Sequence, residues 1–307
     1  MPGKVFISCG QATPTEKKVA NRIRDWLKRQ SFDPYIAIQT QSIQDVNSGI
    51  IGNLRAADYY IFIDFRRERI HEKMCESSQE YRGSLFTNQE LAIAYTLGFD
   101  QALFLQQTGI RLEGIGRYIL SNARRFDNLD EVPKLVREEF KKRGWKPDYS
   151  RHLVPTSIHI LNRTLQYRDH TGIYNQYICH IEIENRRNDF GAFSTIARLD
   201  SIDLPSNQTI WPDSSYLKWA GQSGYERTLL PRTLAKFDAF AIEDKPGYDY
   251  VYLHSSADVL PRQPILQNQR GQHTLSYQVF AQGFPILEFK VVLNLTGRIG
   301  TTTVKIV

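Results

Sequence analysis

Three side chains in the run Ser84-Leu85-Phe86-Thr87-Asn88-Gln89-Glu90-Leu91 have the types and spacing to do chemistry. A small polar residue lies six positions before a glutamate, an aromatic lies four before it, and an apolar helical pattern follows. A carboxylate beneath a sugar ring stabilises the positive charge that develops as a bond to the anomeric carbon breaks, and it does so more in the transition state than in the ground state. Glu90 is the candidate carboxylate. Ser84 could orient it or a sugar hydroxyl, and Phe86 could keep water from the site. Each has a plainer reading. Glu90 would be a solvated acid in the first turn of a helix, where the helix dipole favours negative charge. Ser84 would be a polar helix start, and Phe86 a core residue.

The elements that must position these residues come in a regular order. Val5-Phe6-Ile7-Ser8 reads as a buried strand. Thr13-Pro14-Thr15-Glu16 reads as a capping box with proline at the first helical position. Val19, Ala20, Ile23, Trp26 and Leu27 follow at helical spacing. Tyr35-Ile36-Ala37-Ile38 is a second strand, and 43–57 holds a short helix with Ile50, Ile51 and Leu54 turned inward. Asp58 to Asp64 is apolar throughout its middle, as a strand covered on both faces should be. A long polar stretch, 65–83, precedes the helix that carries Glu90. Ala102-Leu103-Phe104-Leu105 is a fourth strand, 115–120 is helical, Ala123 to Phe126 is a short fifth strand, and Pro133 to Arg143 is a closing helix.

That alternation predicts a parallel sheet with helices on both faces. Ligands bind such sheets at the carboxyl ends of the strands. Ser8, Cys9, Gly10, Gln11, Ile38 and Phe65 lie at those ends, and with Ser84 and Phe86 they form the predicted binding set around Glu90. Gly10 would let a ligand approach the backbone closely. Cys9 reads as a small buried strand-end residue, since no histidine lies near it in sequence to make it a nucleophile.

Length and composition set the frame. A chain of 307 residues predicts two domains, and its apolar and charged fractions are those of a globular protein. Net charge is +6. Residues 1–150 hold 23 Lys and Arg against 19 Asp and Glu, so neither half is a basic nucleic-acid arm. The three cysteines, Cys9, Cys75 and Cys179, lack metal-site spacing and point to a reducing, cytoplasmic setting. The start shows no signal-peptide pattern, and no apolar run approaches the roughly 18 residues of a membrane span. The seven histidines include no close pair at metal-ligand spacing, so no metal is expected.

Gly144-Trp145-Lys146-Pro147-Asp148 reads as a boundary, dividing 1–147 from 148–307. Beyond it the runs are β-branched and aromatic, several with period-two alternation, among them 177–183, 195–199, 250–253 and 274–280. Seven or more strands without a strong helix predict an antiparallel β-sandwich of immunoglobulin-like type. Trp211, Trp219 and Tyr225 lie in an irregular stretch, where packing into the core is the expected role and partner contact the other.

Taken in order, residues 4–145 resemble a Toll/interleukin-1 receptor (TIR) domain of the bacterial, enzymatic branch. Val5-Phe6-Ile7-Ser8 is similar to the family's opening strand and Tyr60-Ile61-Phe62-Ile63 to its central strand. Ser84, Phe86 and Glu90 match the serine, aromatic and glutamate of the enzymatic motif. Here Ser8 is followed by Cys9-Gly10-Gln11 rather than the aromatic-basic pair of plant members, and the aromatic is Phe86 rather than Trp. The resemblance implies a flavodoxin-like fold, with Glu90 catalytic in cleaving the nicotinamide–ribose bond of NAD. NAD is then the substrate, with no other cofactor, and the product is ADP-ribose or a cyclic or conjugated form of it. Nicotinamide already leaves well, so one carboxylate suffices. The resemblance also implies prokaryotic antiviral defence and self-association through the first domain, with the 32–45 loop reaching a neighbour's site. The sandwich would then sense a trigger or bind a protein partner. No membrane and no specific nucleic acid are expected. Two other readings use the same elements: a nucleoside 2-deoxyribosyltransferase-like enzyme, and a non-catalytic scaffold acting by assembly.

Overall fold

The computed structural model describes residues 2–37, 46–70, 80–166, 173–212, 216–245, 248–253, 264–297 and 299–307. The chain divides into two compact units, Met1–Ser150 and Arg151–Val307.

The first unit is built on strands β1 (Lys4–Cys9), β2 (Asp33–Ile36) and β3 (Tyr59–Asp64), then β4 (Arg69–Ile70), β5 (Glu80–Tyr81), β6 (Ala102–Gln107) and β7 (Arg124–Phe126). Five of these form a parallel sheet in the order β2-β1-β3-β6-β7, and β4 and β5 pair separately as a small antiparallel ribbon. Every residue of the central strand β3 is buried. The helices are α1 (Pro14–Arg29), α2 (Gly52–Ala56), α3 (Leu85–Thr96), α4 (Gly116–Ile119) and α5 (Val132–Arg143). The α1 capping box is present, with the Thr13 hydroxyl accepting from the Glu16 amide. Gly144 ends α5 in a left-handed conformation that glycine adopts without steric cost.

Strand alternation sorts the sheet's side chains into two cores. Val5, Ile7 and Cys9 of β1 join Tyr59, Ile61 and Ile63 of β3 in a cluster with residues of α1 and α5. Phe6, Tyr60 and Phe62 face the other way, against Leu54 of α2 and Leu91 and Ala94 of α3. The segment expected as one short helix begins as a wider helical turn, Val46–Ile51, before α2. Leu54 is its buried residue, while Ile50 and Ile51 are half-buried.

Among the described residues of the second unit, twelve strands form two antiparallel sheets. They are β8 (Leu153–Gln166), β9 (Ile173–Asn185), β10 (Ala192–Asp203), β11 (Thr209–Ile210), β12 (Tyr216–Leu217), β13 (Glu226–Leu229), β14 (Leu234–Lys245), β15 (Tyr248–Tyr252), β16 (Leu266–Gln267), β17 (Gly271–Gln282), β18 (Leu287–Leu295) and β19 (Thr303–Ile306). One sheet runs β16-β15-β14-β9-β8. The other runs β11-β10-β17-β18-β19, with β12 and β13 also on β10. A single core draws on both, with Ile181 of β9 and Phe237 of β14 from one and Leu199 of β10, Tyr277 of β17 and Val291 of β18 from the other. Trp219 is fully buried there, its indole N–H donating to the Thr195 carbonyl at 3.1 Å and its ring edge-on to Phe237. The expectation that Trp211 and Tyr225 also pack inside is corrected. They are 68% and 43% exposed: Trp211 follows the two-residue edge strand β11 and Tyr225 precedes β13, whereas Trp219 itself bridges to Phe237 of β14. Among the described residues no helix is long and apolar enough to cross a membrane.

Candidate active site at the carboxyl edge of the parallel sheet

Glu90 does not open its helix. The first turn of α3 begins at Leu85, with Ser84 as the residue before it, so Glu90 lies in the second turn. It is therefore outside the reach of the helix-start dipole that the plainer reading invoked. Its place on the helix decides its surroundings instead. Thr87, Leu91 and Ala94 are the buried residues of α3, and Glu90 falls on the same stripe, three after Thr87 and four before Ala94. The stripe that packs α3 on the sheet carries the carboxylate inward to the end of β1.

There the Ser8 hydroxyl donates to Glu90 Oε2 at 2.5 Å. Ser8 is completely buried, on the same face of β1 as Phe6. Burial pushes the Glu90 carboxyl up from 4.5 to about 7, and the Ser8 hydrogen bond opposes the rise. Its charge is felt by Cys9, Tyr35 and Tyr60, whose own values are raised first by burial and then by Glu90 among other groups. A half-buried carboxylate at the carboxyl end of a parallel sheet thus sits among a serine and two tyrosines.

Ser84 does not orient Glu90. Its amide donates to Asp64 Oδ1 at 3.0 Å, and its carbonyl accepts from the Thr87 hydroxyl and the Asn88 side chain. Asp64, at the end of β3, also accepts from Gln106 of β6 at 3.3 Å, and Gln106 in turn accepts from Arg125 of β7. These bonds tie the start of α3 to three strand ends. Gly83 makes the approach possible, since a Cβ there would overlap the Asp64 carboxylate. Burial raises the Asp64 carboxyl against the opposing pull of Ser84, Gln106, Arg67 and Arg125.

The remaining predicted residues divide. Phe86 is 59% exposed and not a core residue, and it stands one turn before Glu90 on the same side of α3. Cys9 points to the opposite face of the sheet, in the α1 and α5 core, and burial raises its thiol to about 12, which keeps it protonated. Phe65 packs in that same core, edge-on to Phe126, so it does not line the site as expected. Gln11 donates to the Ala37 carbonyl and joins the ends of β1 and β2. Gly10 is backed by Arg67, which makes a two-pronged ion pair with the buried Glu16. A Cβ at Gly10 would overlap that guanidinium. Glycine is needed here for the protein's own clamp. Ile38 and most of the 32–45 loop lie outside the described residues, while Phe32 is buried against Tyr59 and Phe140.

Sequence reasoning missed Ser8 as the partner of Glu90, and it missed Tyr35 and Tyr60 altogether. A signal for Ser8 and Tyr60 was available. Both alternate with β1 and β3 residues that face α1, so both must face α3. Among the described residues, no three His, Cys, Asp or Glu side chains converge as metal ligands would. An open cleft of about 700 Å³ lies between β6, β7 and α5, but it shares no residue with this site, and its Arg124 and Arg143 are paired with Glu138 and Glu139.

The fold and site define an α/β unit with a half-buried carboxylate at the carboxyl edge of its sheet, followed in the chain by an antiparallel β unit. No protein-family model matches the chain. No curated protein matches it either. Two solved structures of a β-glucosidase from Listeria innocua are similar at low level. The complex with isofagomine has 10% identity and a TM-score of 0.29, over 94% of this chain and 46% of that one. The complex with gluconolactone has 11% identity and a TM-score of 0.26, over 94% and 45%. The chain thus spans about half the length of these structures, and a likeness of that size carries no argument about fold or substrate.

Proposed function

We propose that the first unit is a TIR-like domain that cleaves the nicotinamide–ribose bond of NAD, with Glu90 as the catalytic carboxylate. The observation that carries this reading is the half-buried Glu90, hydrogen-bonded to Ser8 at the carboxyl edge of the sheet. Setting aside the β4–β5 ribbon, the parallel strands follow the order 2-1-3-4-5, which is the flavodoxin-like order. Ligands of such sheets sit where Ser8, Asp64 and Glu90 gather. As the ribose leaves nicotinamide it gains oxocarbenium character, and an ionised Glu90 beneath it stabilises that charge. Partial burial strengthens the attraction by lowering the local dielectric. Nicotinamide departs neutral from a cationic substrate, so the absence of a second acid in the motif fits the chemistry.

We infer an immunoglobulin-like sandwich for the second unit from its pairings. β8, β9 and β14 lie side by side in one sheet and β10, β17 and β18 in the other, which is the A-B-E and C-F-G arrangement of that fold with extra strands at the edges. Its role in this reading is to sense a trigger or hold a partner, and to bring first units together. The biological setting proposed is prokaryotic antiviral defence. Incubating the full chain with NAD and following nicotinamide release, beside Glu90→Gln, tests the catalytic claim. Deoxyribosyl transfer between nucleosides by the same samples, without NAD cleavage, would favour the transferase reading instead.

A further inference from the structure

The Ser8–Glu90 contact joins the end of β1 to the second turn of α3, 82 residues later in the chain. Ser8 is wholly buried and has one proton to give, and it gives it to Glu90 Oε2. The hydroxyl oxygen keeps its capacity to accept. On β3 Phe62 stands opposite Ser8, and Tyr60, opposite Phe6, is its diagonal neighbour on the same face, also wholly buried, its ring held between Phe6 and Phe99 at 6.0 and 5.5 Å. Burial pushes the Tyr60 phenol well above its ordinary value, and the nearby Ser8 hydroxyl opposes that rise. Among the described residues the Tyr60 oxygen makes no hydrogen bond, and the Ser8 oxygen, its own proton given to Glu90, is free to accept one. One pairing satisfies all three groups: Tyr60 donates to Ser8, and Ser8 donates to Glu90.

We propose that Ser8 is a positioning residue that fixes the orientation and charge of Glu90, and that Tyr60 completes it by donating its phenolic proton to the Ser8 oxygen. The inference rests on the reading of Glu90 as the reactive carboxylate and assigns how that carboxylate is held ready. A donor to an ionised carboxylate stabilises the charged form, and a donor that is itself hydrogen-bonded gives more strongly. Besides Tyr60, the titratable group facing Glu90 is Tyr35 on β2, neutral at physiological pH, while Cys9 on the other face of β1 is neutral too, so the hydroxyl chain is what favours the charge. Ser8 orients the carboxylate through its geometry, and it need not touch substrate.

The test follows the titration of Glu90 itself in the full chain. Glutamate is labelled at the carboxyl carbon, and the Glu90 resonance is assigned by its loss in Glu90→Gln. Ser8→Ala is expected to move the midpoint up by about one to two pH units, the scale of one hydrogen bond to a charged group. Ser8→Thr, which keeps the hydroxyl, is expected to stay near the wild type. Tyr60→Phe, which keeps the ring, is expected to move it up by a smaller amount. If Ser8→Ala does not fold, Ser8→Cys takes its place with a weaker donor of similar size and a smaller upward movement. An unmoved or lowered midpoint in Ser8→Ala, or equal movement in Ser8→Thr, overturns the assignment of Ser8. An unmoved midpoint in Tyr60→Phe overturns the share given to Tyr60. Nicotinamide release is recorded on the same samples. A wild type that titrates as described but releases none removes the NAD reading and leaves the positioning result standing.

Discussion

Replacing Glu90 by Gln should make the first unit more stable, and only above mildly acidic pH. The folded-state pKa of Glu90 is about 7 against an ordinary 4.5. Raised folded affinity for a proton means that the folded state binds more protons than the unfolded state between those values, so wild-type stability falls as pH rises through that window. A difference of about 2.5 in pKa, at 1.36 kcal/mol for each unit, is about 3 kcal/mol of cost to the folded state once Glu90 is ionised. Glutamine never ionises and can still accept from Ser8. The variant should therefore match wild type near pH 4.5 and exceed it by up to about 3 kcal/mol near pH 8. For a unit of this size that is roughly 6–12 °C in melting temperature. Thermal and urea melts of both full chains across this pH range read the difference directly. A variant that is less stable at pH 8, or a gap that does not change with pH, would refute the claim that burial holds this carboxyl out of its ordinary range. The gain would come with lost turnover, as expected where an active site is kept at the expense of stability.

Other perturbations probe the frame around the site. Gly10→Ala puts a methyl into the Arg67 guanidinium and should cost about 1–3 kcal/mol by loosening its clamp on Glu16, read as an earlier first-unit melt. Phe86→Ser should change stability by less than about 0.5 kcal/mol because the ring is exposed, while lowering NAD turnover if the ring shields the ribose, read from melts and nicotinamide release together. Trp219→Ala should cost about 3–5 kcal/mol in the second unit, with the first unit's melt unchanged, because it empties the centre of that core and orphans the Thr195 carbonyl.

Much of the frame was legible in the sequence because it rests on local rules. The Thr13 capping box, the apolar face of α1 and the unbroken apolar middle of β3 each announced their element, and the alternating runs after Trp145 announced antiparallel strands. Glu90 stood out by its spacing from Ser84 and Phe86 together with the order of the elements before it. What the sequence hid depends on contacts far apart in the chain. Ser84 is near Glu90 in sequence and seemed its natural partner, but a helix start turns its amide toward Asp64. Ser8 reaches Glu90 only because the stripe of Thr87, Leu91 and Ala94 docks α3 against the Ser8 face of β1. Phe65 looked like a strand-end site residue, yet strand alternation turned it into the α1 and α5 core. Trp211 and Tyr225 show the same limit from the other side, since no local pattern says which aromatic of an irregular stretch will find a partner in a sheet.

Nicotinamide release by the purified full chain incubated with NAD, across protein concentrations that favour assembly, tests the central claim most directly. The account predicts release by wild type and loss of at least about a hundredfold in Glu90→Gln, the scale on which a charge-stabilising group at the reacting centre acts. Wild-type protein that releases no nicotinamide at any concentration, or Glu90→Gln protein that releases it at the wild-type rate, would contradict it.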